Sequence, residues 1–288
     1  MALLGQRLSP RKMENLMTNL KQYPRVLTIA GTDPSGGAGI QADLKTISAC
    51  ECYGTSAITA LVAQNTQGVE AVHTIPVDFL QLQLKAVLDD VGTDTVKIGM
   101  LHSTEVILTV KKIIQKYQLT EVVLDPVMVA TSGDTLLMEE AIHTLKYKLI
   151  PKVKIITPNI PEAAILLEEE IEEKTDLSKV AKEIALKYGV SVLLKGGHRQ
   201  GEEVSNVLYD FQHKKVKVYT HPKVTTKNTH GTGCTLSSAI AAFLARAYSL
   251  EEAAEKAIGY IASAVKAGAQ YQLGKGHGPV HHFFNYCG

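Results

Sequence analysis

The 288-residue chain has no tryptophan, few cysteines and almost no net charge. Its four cysteines (Cys50, Cys52, Cys234, Cys287) are too few and too irregularly spaced for a disulfide framework, and no CxxC pair offers a zinc site. Such usage fits a reducing compartment, and the cytoplasm is the expected location. With 30 Lys and Arg against 29 Asp and Glu, the formal charge is +1. No bulk attraction toward nucleic acid or an anionic membrane follows, and neither is expected as a partner; a local anion site is still allowed. No apolar run approaches the roughly 18 residues of a membrane span. Residues 1–24 lack the apolar middle of a secretory signal and read as a flexible or loosely docked extension, with an organelle-targeting peptide as the alternative.

What is present is apolar material: 45% hydrophobic against 20% charged residues, enough for a sizeable core. The length allows one large domain or two small ones. No Pro/Ser-rich linker or internal repeat divides the chain, so residues 25–288 are expected to form one domain. From Arg25 onward, β-branched runs alternate with longer amphipathic ones, the pattern of a mainly parallel sheet flanked by helices. The expected strands are RVLTIAG (25–31), TVKIGM (95–100), VVLDPVM (122–128), KIITPN (154–159) and VSVLLKGG (190–197). Helices are expected near 39–51, 76–90, 103–118, 135–148, 161–170, 176–188, 233–248 and 250–272, with a hairpin over 204–221. Ser249 and Glu252 have capping-box spacing at the start of the last helix. Each strand ends in Gly, Pro, Asn or Asp, and open α/β sheets bind ligands at those carboxyl ends.

Two glycine-rich connections stand out. The first, Gly31 to Gly39 (GTDPSGGAG), is not a P-loop, because Gly37 and Ala38 stand where Lys and Ser/Thr are needed. It is not a GxGxxG fingerprint either. A packing turn is the plain reading, but Asp33 in a Gly-lined loop at a strand end could accept from a small polar ligand. The second, Thr226 to Cys234 (TKNTHGTGC), runs into an apolar helix, so main-chain amides around Gly231, Thr232 and Gly233 can form an anion hole. Cys234 in the first helical turn is expected to have a stabilised thiolate; a small buried hydrophobe is the bland alternative. Asp125, Asn159, Glu162 and Lys195 end strands on the same sheet edge. Singly, each reads as a turn residue or cap. Together they offer oxygen ligands suited to Mg²⁺ and a cation for a nucleotide phosphate, the equipment of phosphoryl transfer. His281-His282, the Cys50–Cys52 pair and the acidic run 168–173 carry no comparable pattern.

The segments TIAGTDPSGGAGIQADLKT (28–46), ALVAQNTQGV (60–69), VKIGML (96–101), VVLDPVM (122–128), ITPNIPEA (156–163), LLKGGH (193–198), TKNTHGTGCTLSSAIAA (226–242) and GKGHGPVHHF (274–283) resemble the bacterial hydroxymethylpyrimidine/phosphomethylpyrimidine kinases of thiamin biosynthesis. The resemblance runs in order over residues 25–284. It implies a ribokinase-like three-layer α/β sandwich. It also implies two ATP-dependent phosphorylations in one site, of 4-amino-5-hydroxymethyl-2-methylpyrimidine and then of its monophosphate, with ATP and Mg²⁺ as cofactors. By matching motif, Gly231, Thr232 and Gly233 form the anion hole, and Cys234 stands where many superfamily kinases carry an aspartate base. Asp125, Asn159 and Glu162 lie beside Mg²⁺ and the phosphates, and Lys195 on the nucleotide side. Gln64 reads the pyrimidine edge, while Ala38, Val62 and Met100 wall the pocket. A homodimer or higher homo-oligomer is expected. Pyridoxal kinases of the same branch share the cysteine loop, and a pyrimidine-binding sensor without turnover is the alternative from another class.

Overall fold

Leu27 and Ile29 face one side of strand β1 (Arg25–Ala30) and Val26 the other, and all three are fully buried. A strand covered on both faces reads as a continuous apolar run, which is why RVLTIA signals itself in the sequence. The computed structural model describes residues 21–128, 139–197 and 199–286. Most of the N-terminal extension, the start of the helix expected from residue 135, and Cys287 lie outside the described residues.

Five further strands run parallel to β1: β2 (Tyr53–Ile58), β5 (Thr95–Ile98), β6 (Val122–Leu124), β7 (Ile155–Ile156) and β8 (Ser191–Leu194). An antiparallel hairpin, β9 (Glu203–Asp210) and β10 (Lys215–Pro222), completes an eight-stranded sheet of order β10-β9-β8-β7-β6-β5-β1-β2. β3 (Ala60–Asn65) and β4 (Gly68–Thr74) form a separate antiparallel ribbon whose register shifts between Ala63 and Gln64.

Strand periodicity sorts the core into two layers. Leu27, Ile29, Ile98, Val122, Leu124, Val192 and Leu194 share one cluster with residues of α2 (Val77–Asp90), α3 (Thr104–Lys116), α5 (Ile160–Leu167) and α6 (Leu177–Tyr188). Val26, Val123, Ile155 and Leu193 share the other with α1 (Gly39–Ala49), α7 (Thr232–Ala245) and α8 (Leu250–Gly268). The result is a three-layer α/β sandwich. Among the described residues, no helix is long and apolar enough to cross a membrane.

The structure differs from the sequence reading in the segment 53–74. β2 is an edge strand of small and polar residues (YGTSAI), and the β3–β4 ribbon leaves Leu61 and Val72 exposed, so neither has the buried apolar run that marks a strand. The helix expected over 135–148 is described from Glu139 as α4 (Glu139–Thr144), then widens to a π turn over Leu145–Leu149 and tightens to a 3₁₀ turn at Ile150–Lys152, where Pro151 ends it.

Candidate active site

The connection from β1 to α1 folds around one carboxylate. Asp33 Oδ1 accepts from the Ser35 amide and hydroxyl at 2.9 and 2.7 Å, and Oδ2 from the Gly37 and Ala38 amides at 3.2 and 2.7 Å. His230 Nε2 lies 2.7 Å from the same Oδ2. Burial raises the Asp33 carboxyl, but the bonds from His230, Ser35 and Ala38 outweigh it and hold it at about 2. The expectation that Asp33 accepts directly from a ligand is therefore corrected. It is 1% exposed, both oxygens are engaged, and it shapes the loop from behind.

The two glycine-rich loops touch. Gly231 has φ +80°, and a Cβ there would stand 1.7 Å from the Gly37 carbonyl oxygen, so only glycine closes this seam. α7 starts immediately behind it. A helix leaves its first amides without intrahelical acceptors, and Gly233 and Cys234 carry two of them; the Thr232 amide reaches back to the Thr229 carbonyl at 3.3 Å.

Asp125 and Lys195, just past the ends of β6 and β8, and Glu162, in the first turn of α5, converge on this helix start. Lys195 Nζ is 2.8 Å from Asp125 Oδ1 and 3.9 Å from Glu162 Oε2, and Thr157 Oγ1 donates to Asp125 Oδ1 at 2.9 Å. A Cβ on Gly233 would lie 3.2 Å from both Asp125 Oδ2 and Lys195 Nζ, so glycine keeps a cradle open between helix and carboxylates. Burial raises the Glu162 carboxyl, Lys195 opposes this and Asp125 adds to it, leaving Glu162 at about 7. Lys195, expected toward a nucleotide, points into these carboxylates at the anion-hole end. Asn159 caps α5: its Oδ1 accepts from the Glu162 main-chain amide and its main-chain amide donates to Glu162 Oε2, both at 2.8 Å, a complete capping box.

Cys234 is in place but not in the expected state. Burial pushes its thiol up to about 11, against the pull of Lys97 and a bond from the Gly39 amide, while Asp43 and Asp125 push the same way as burial. Desolvation outweighs the helix dipole, so the stabilised thiolate is corrected to a thiol. Beneath it is an ion pair that the sequence reading missed. Lys97 Nζ sits 2.8 Å from both oxygens of Asp43, with both side chains fully buried, and Thr28 and Ser238 donate to that carboxylate at 2.6 and 2.8 Å. The available signal was a lysine inside an apolar strand (VKIGM) and an aspartate on the apolar face of α1.

On the far side of the seam lie the expected pocket residues. The Val62 amide donates to Thr32 Oγ1 at 2.9 Å, a methyl at Gly31 would abut Met100 Cε at 2.5 Å, and Ala38 N-caps α1 beside Gly231. Gln64, after the β3 register shift, brings its amide to 3.3 Å from His230 Nε2. His230 was legible only as an unassigned histidine in TKNTHGTGC. The Ala38, Val62, Gln64 and Met100 group is thus joined to the phosphate-type loop through His230.

Among the described residues, no cluster of three or more His, Cys, Asp or Glu could hold a metal alone. Two carboxylates beside an open glycine cradle still suit Mg²⁺, which keeps several waters and takes few protein ligands. The family model for phosphomethylpyrimidine kinase matches residues 33–281. The hydroxymethylpyrimidine/phosphomethylpyrimidine kinase of Escherichia coli (strain K12) is 49% identical over 259 residues, 89% of this chain and 96% of that protein. Bacillus subtilis pyridoxal kinase in complex with ADP superposes with a TM-score of 0.85 at 36% identity, covering 93% of this chain and 100% of that one. A phosphomethylpyrimidine kinase structure from Clostridium difficile 630 superposes with a TM-score of 0.74 at 44% identity, covering 84% and 99%. With this arrangement of loops and this breadth of likeness, the chain belongs to the phosphomethylpyrimidine kinase family, built on the ribokinase-like α/β sandwich.

Proposed function

We propose that the protein phosphorylates 4-amino-5-hydroxymethyl-2-methylpyrimidine with ATP, and then its monophosphate to the diphosphate, in thiamin biosynthesis. The observation that carries this reading is the seam between Gly37 and Gly231, with Ala38, Val62, Gln64 and Met100 on one side and the Gly233, Asp125, Lys195 cluster on the other. A hydroxymethyl group reaching across the seam meets a phosphoryl group held at the start of α7.

In this reading Gln64 meets the pyrimidine's ring nitrogen and amino group. The Gly233 and Cys234 amides and Lys195 hold the transferring phosphoryl group where its charge develops. Phosphoryl transfer through a loose transition state gains most from such positioning. The thiolate form of Cys234, a minor fraction at neutral pH because the thiol is pushed up to about 11, accepts the hydroxyl proton. Asp125 and Glu162 would hold Mg²⁺, which supplies charge neutralisation on the phosphates when bound. Residues 25–288 act as one kinase domain, in the cytoplasm, as a homodimer or higher homo-oligomer. The pyridoxal kinase likeness, with the higher TM-score but the lower identity of the two structures, keeps pyridoxal as a second acceptor to be tested.

Steady-state rates with ATP and Mg²⁺ on the pyrimidine alcohol, its monophosphate and pyridoxal test the reading. It expects turnover of both pyrimidines with kcat/KM above that for pyridoxal. Turnover of pyridoxal alone, or of none, overturns it.

A further inference from the structure

We propose that His230 is a specificity-determining positioning residue, which fixes the orientation of the Gln64 amide and so makes the pocket select a 4-amino over a 4-oxo pyrimidine. The inference rests on the functional reading above and adds how its pocket chooses a substrate. His230 is 8% exposed and its ring is wedged in place: a Cβ on Gly37 would stand 2.4 Å from ring Cδ2, and the His230 amide donates to the Gly278 carbonyl at 3.0 Å. Its Nε2 faces two groups, Asp33 Oδ2 at 2.7 Å and the end of the Gln64 amide at 3.3 Å.

One proton arrangement serves both contacts: a single Nε2–H that donates chiefly to Asp33 Oδ2 at 2.7 Å and, as the weaker arm of a three-centre bond, toward Gln64 at 3.3 Å. The Asp33 carboxylate already accepts four hydrogen bonds from its own loop and is held ionised, so it is an acceptor only. An unprotonated Nε2 at 2.7 Å would set lone pair against lone pair. His230 Nε2 therefore carries a proton. A donor there cannot face the amide's NH₂, which is the end now nearest to it, so the amide turns to put Oε1 on His230. The NH₂ then points into the pocket as donor, and the second lone pair of Oε1 accepts from the ligand.

That pattern has one complement. The 4-aminopyrimidine offers a ring-nitrogen acceptor beside an amino donor. Its 4-oxo counterpart offers N–H beside a carbonyl and needs the opposite amide orientation, which His230 forbids. An unpaired buried group of this kind lowers affinity by about tenfold or more. The chain from Asp33 through His230 to Gln64 thus transmits the fixed charge of the β1–α1 loop to the substrate edge.

The test compares kcat/KM for the 4-amino alcohol and its 4-oxo counterpart in the full-length enzyme, for wild type, His230→Leu and His230→Gln. The amide of a glutamine places an NH₂ near the position of His Nε2, with one hydrogen for Asp33 and one for Gln64. Wild type is expected to prefer the amino compound by at least about tenfold. His230→Leu should bring the ratio near unity while the KM for ATP holds, and His230→Gln should restore most of the ratio. An unchanged ratio in His230→Leu, or no rescue by glutamine, overturns the proposal. Ring ¹⁵N shifts of His230 in wild type serve if a variant fails to fold. They should report a protonated Nε2, and a bare Nε2 overturns the proposal. A wild type that turns over neither pyrimidine refutes the functional reading, while the ring shifts still judge the proton assignment separately.

Discussion

Replacing Lys97 with Met leaves the Asp43 carboxylate in the centre of the protein with two hydroxyl donors and no counter-charge. Lys97 Nζ contacts both Asp43 oxygens at 2.8 Å, and neither side chain has any solvent access. Removing one partner of such a pair costs about 3–5 kcal/mol, because the remaining charge stays buried. At roughly 2–4 °C per kcal/mol for a domain of this size, the thermal midpoint should fall by about 6–20 °C. The double variant Lys97→Met, Asp43→Asn removes both charges and keeps an amide for Thr28 and Ser238, so it should recover at least half of the loss. Circular dichroism melts at neutral pH measure both. The pair also has a pH signature. Burial lowers Lys97, but the Asp43 carboxylate, with help from Asp125, raises it above its ordinary value. The folded state then binds the proton more tightly than the unfolded chain. Its contribution is fully present below the unfolded lysine value, near 10.4, and is lost as pH rises toward the folded one. A single variant within about 2 °C of wild type, or a double variant no more stable than the single, would refute the reasoning.

Cys234→Ala should lower kcat at least about 100-fold with little change in ATP binding, while Cys234→Asp retains part of the activity. Because the thiol is pushed up to about 11, the thiolate fraction grows with pH, so kcat/KM should climb about tenfold per unit from pH 7 to 9. A flat profile or near-native alanine turnover would leave catalysis to the anion hole and Lys195. Gln64→Leu should raise KM for the pyrimidine by about tenfold or more and leave the KM for ATP unchanged; equal effects on both would remove Gln64 from the pocket. Deleting residues 1–20 should leave kcat and the thermal midpoint within error, since the family motifs begin at the strand starting with Arg25, and a marked loss of either would show that the segment packs on the core or on a second subunit.

The elements that sequence alone determined are those whose signal is local. A strand buried on both faces reads as a near-continuous apolar run, and RVLTIA, with only Arg25 at its half-buried start and Thr28 interrupting it, and VVL do so. A helix start must satisfy its own amides, and Asn159–Glu162 and Ser249–Glu252 do so within three residues. Glycine at 231 is demanded by backbone approach and glycine at 233 leaves room beside the Asp125 and Lys195 side chains, which is why the loop that begins α7 was legible in the sequence. Only the tertiary structure decided what long-range neighbours impose. The ribbon carrying Gln64 has no buried run to announce it. His230 meets Asp33 across 197 positions of sequence, and Lys97 meets Asp43 across 54, pairings that no local pattern encodes. The state of Cys234 turned on the same cause: its place at a helix start predicts a stabilised thiolate, but partial burial among the packed loops, with the Asp43 and Asp125 carboxylates nearby, raises the thiol instead.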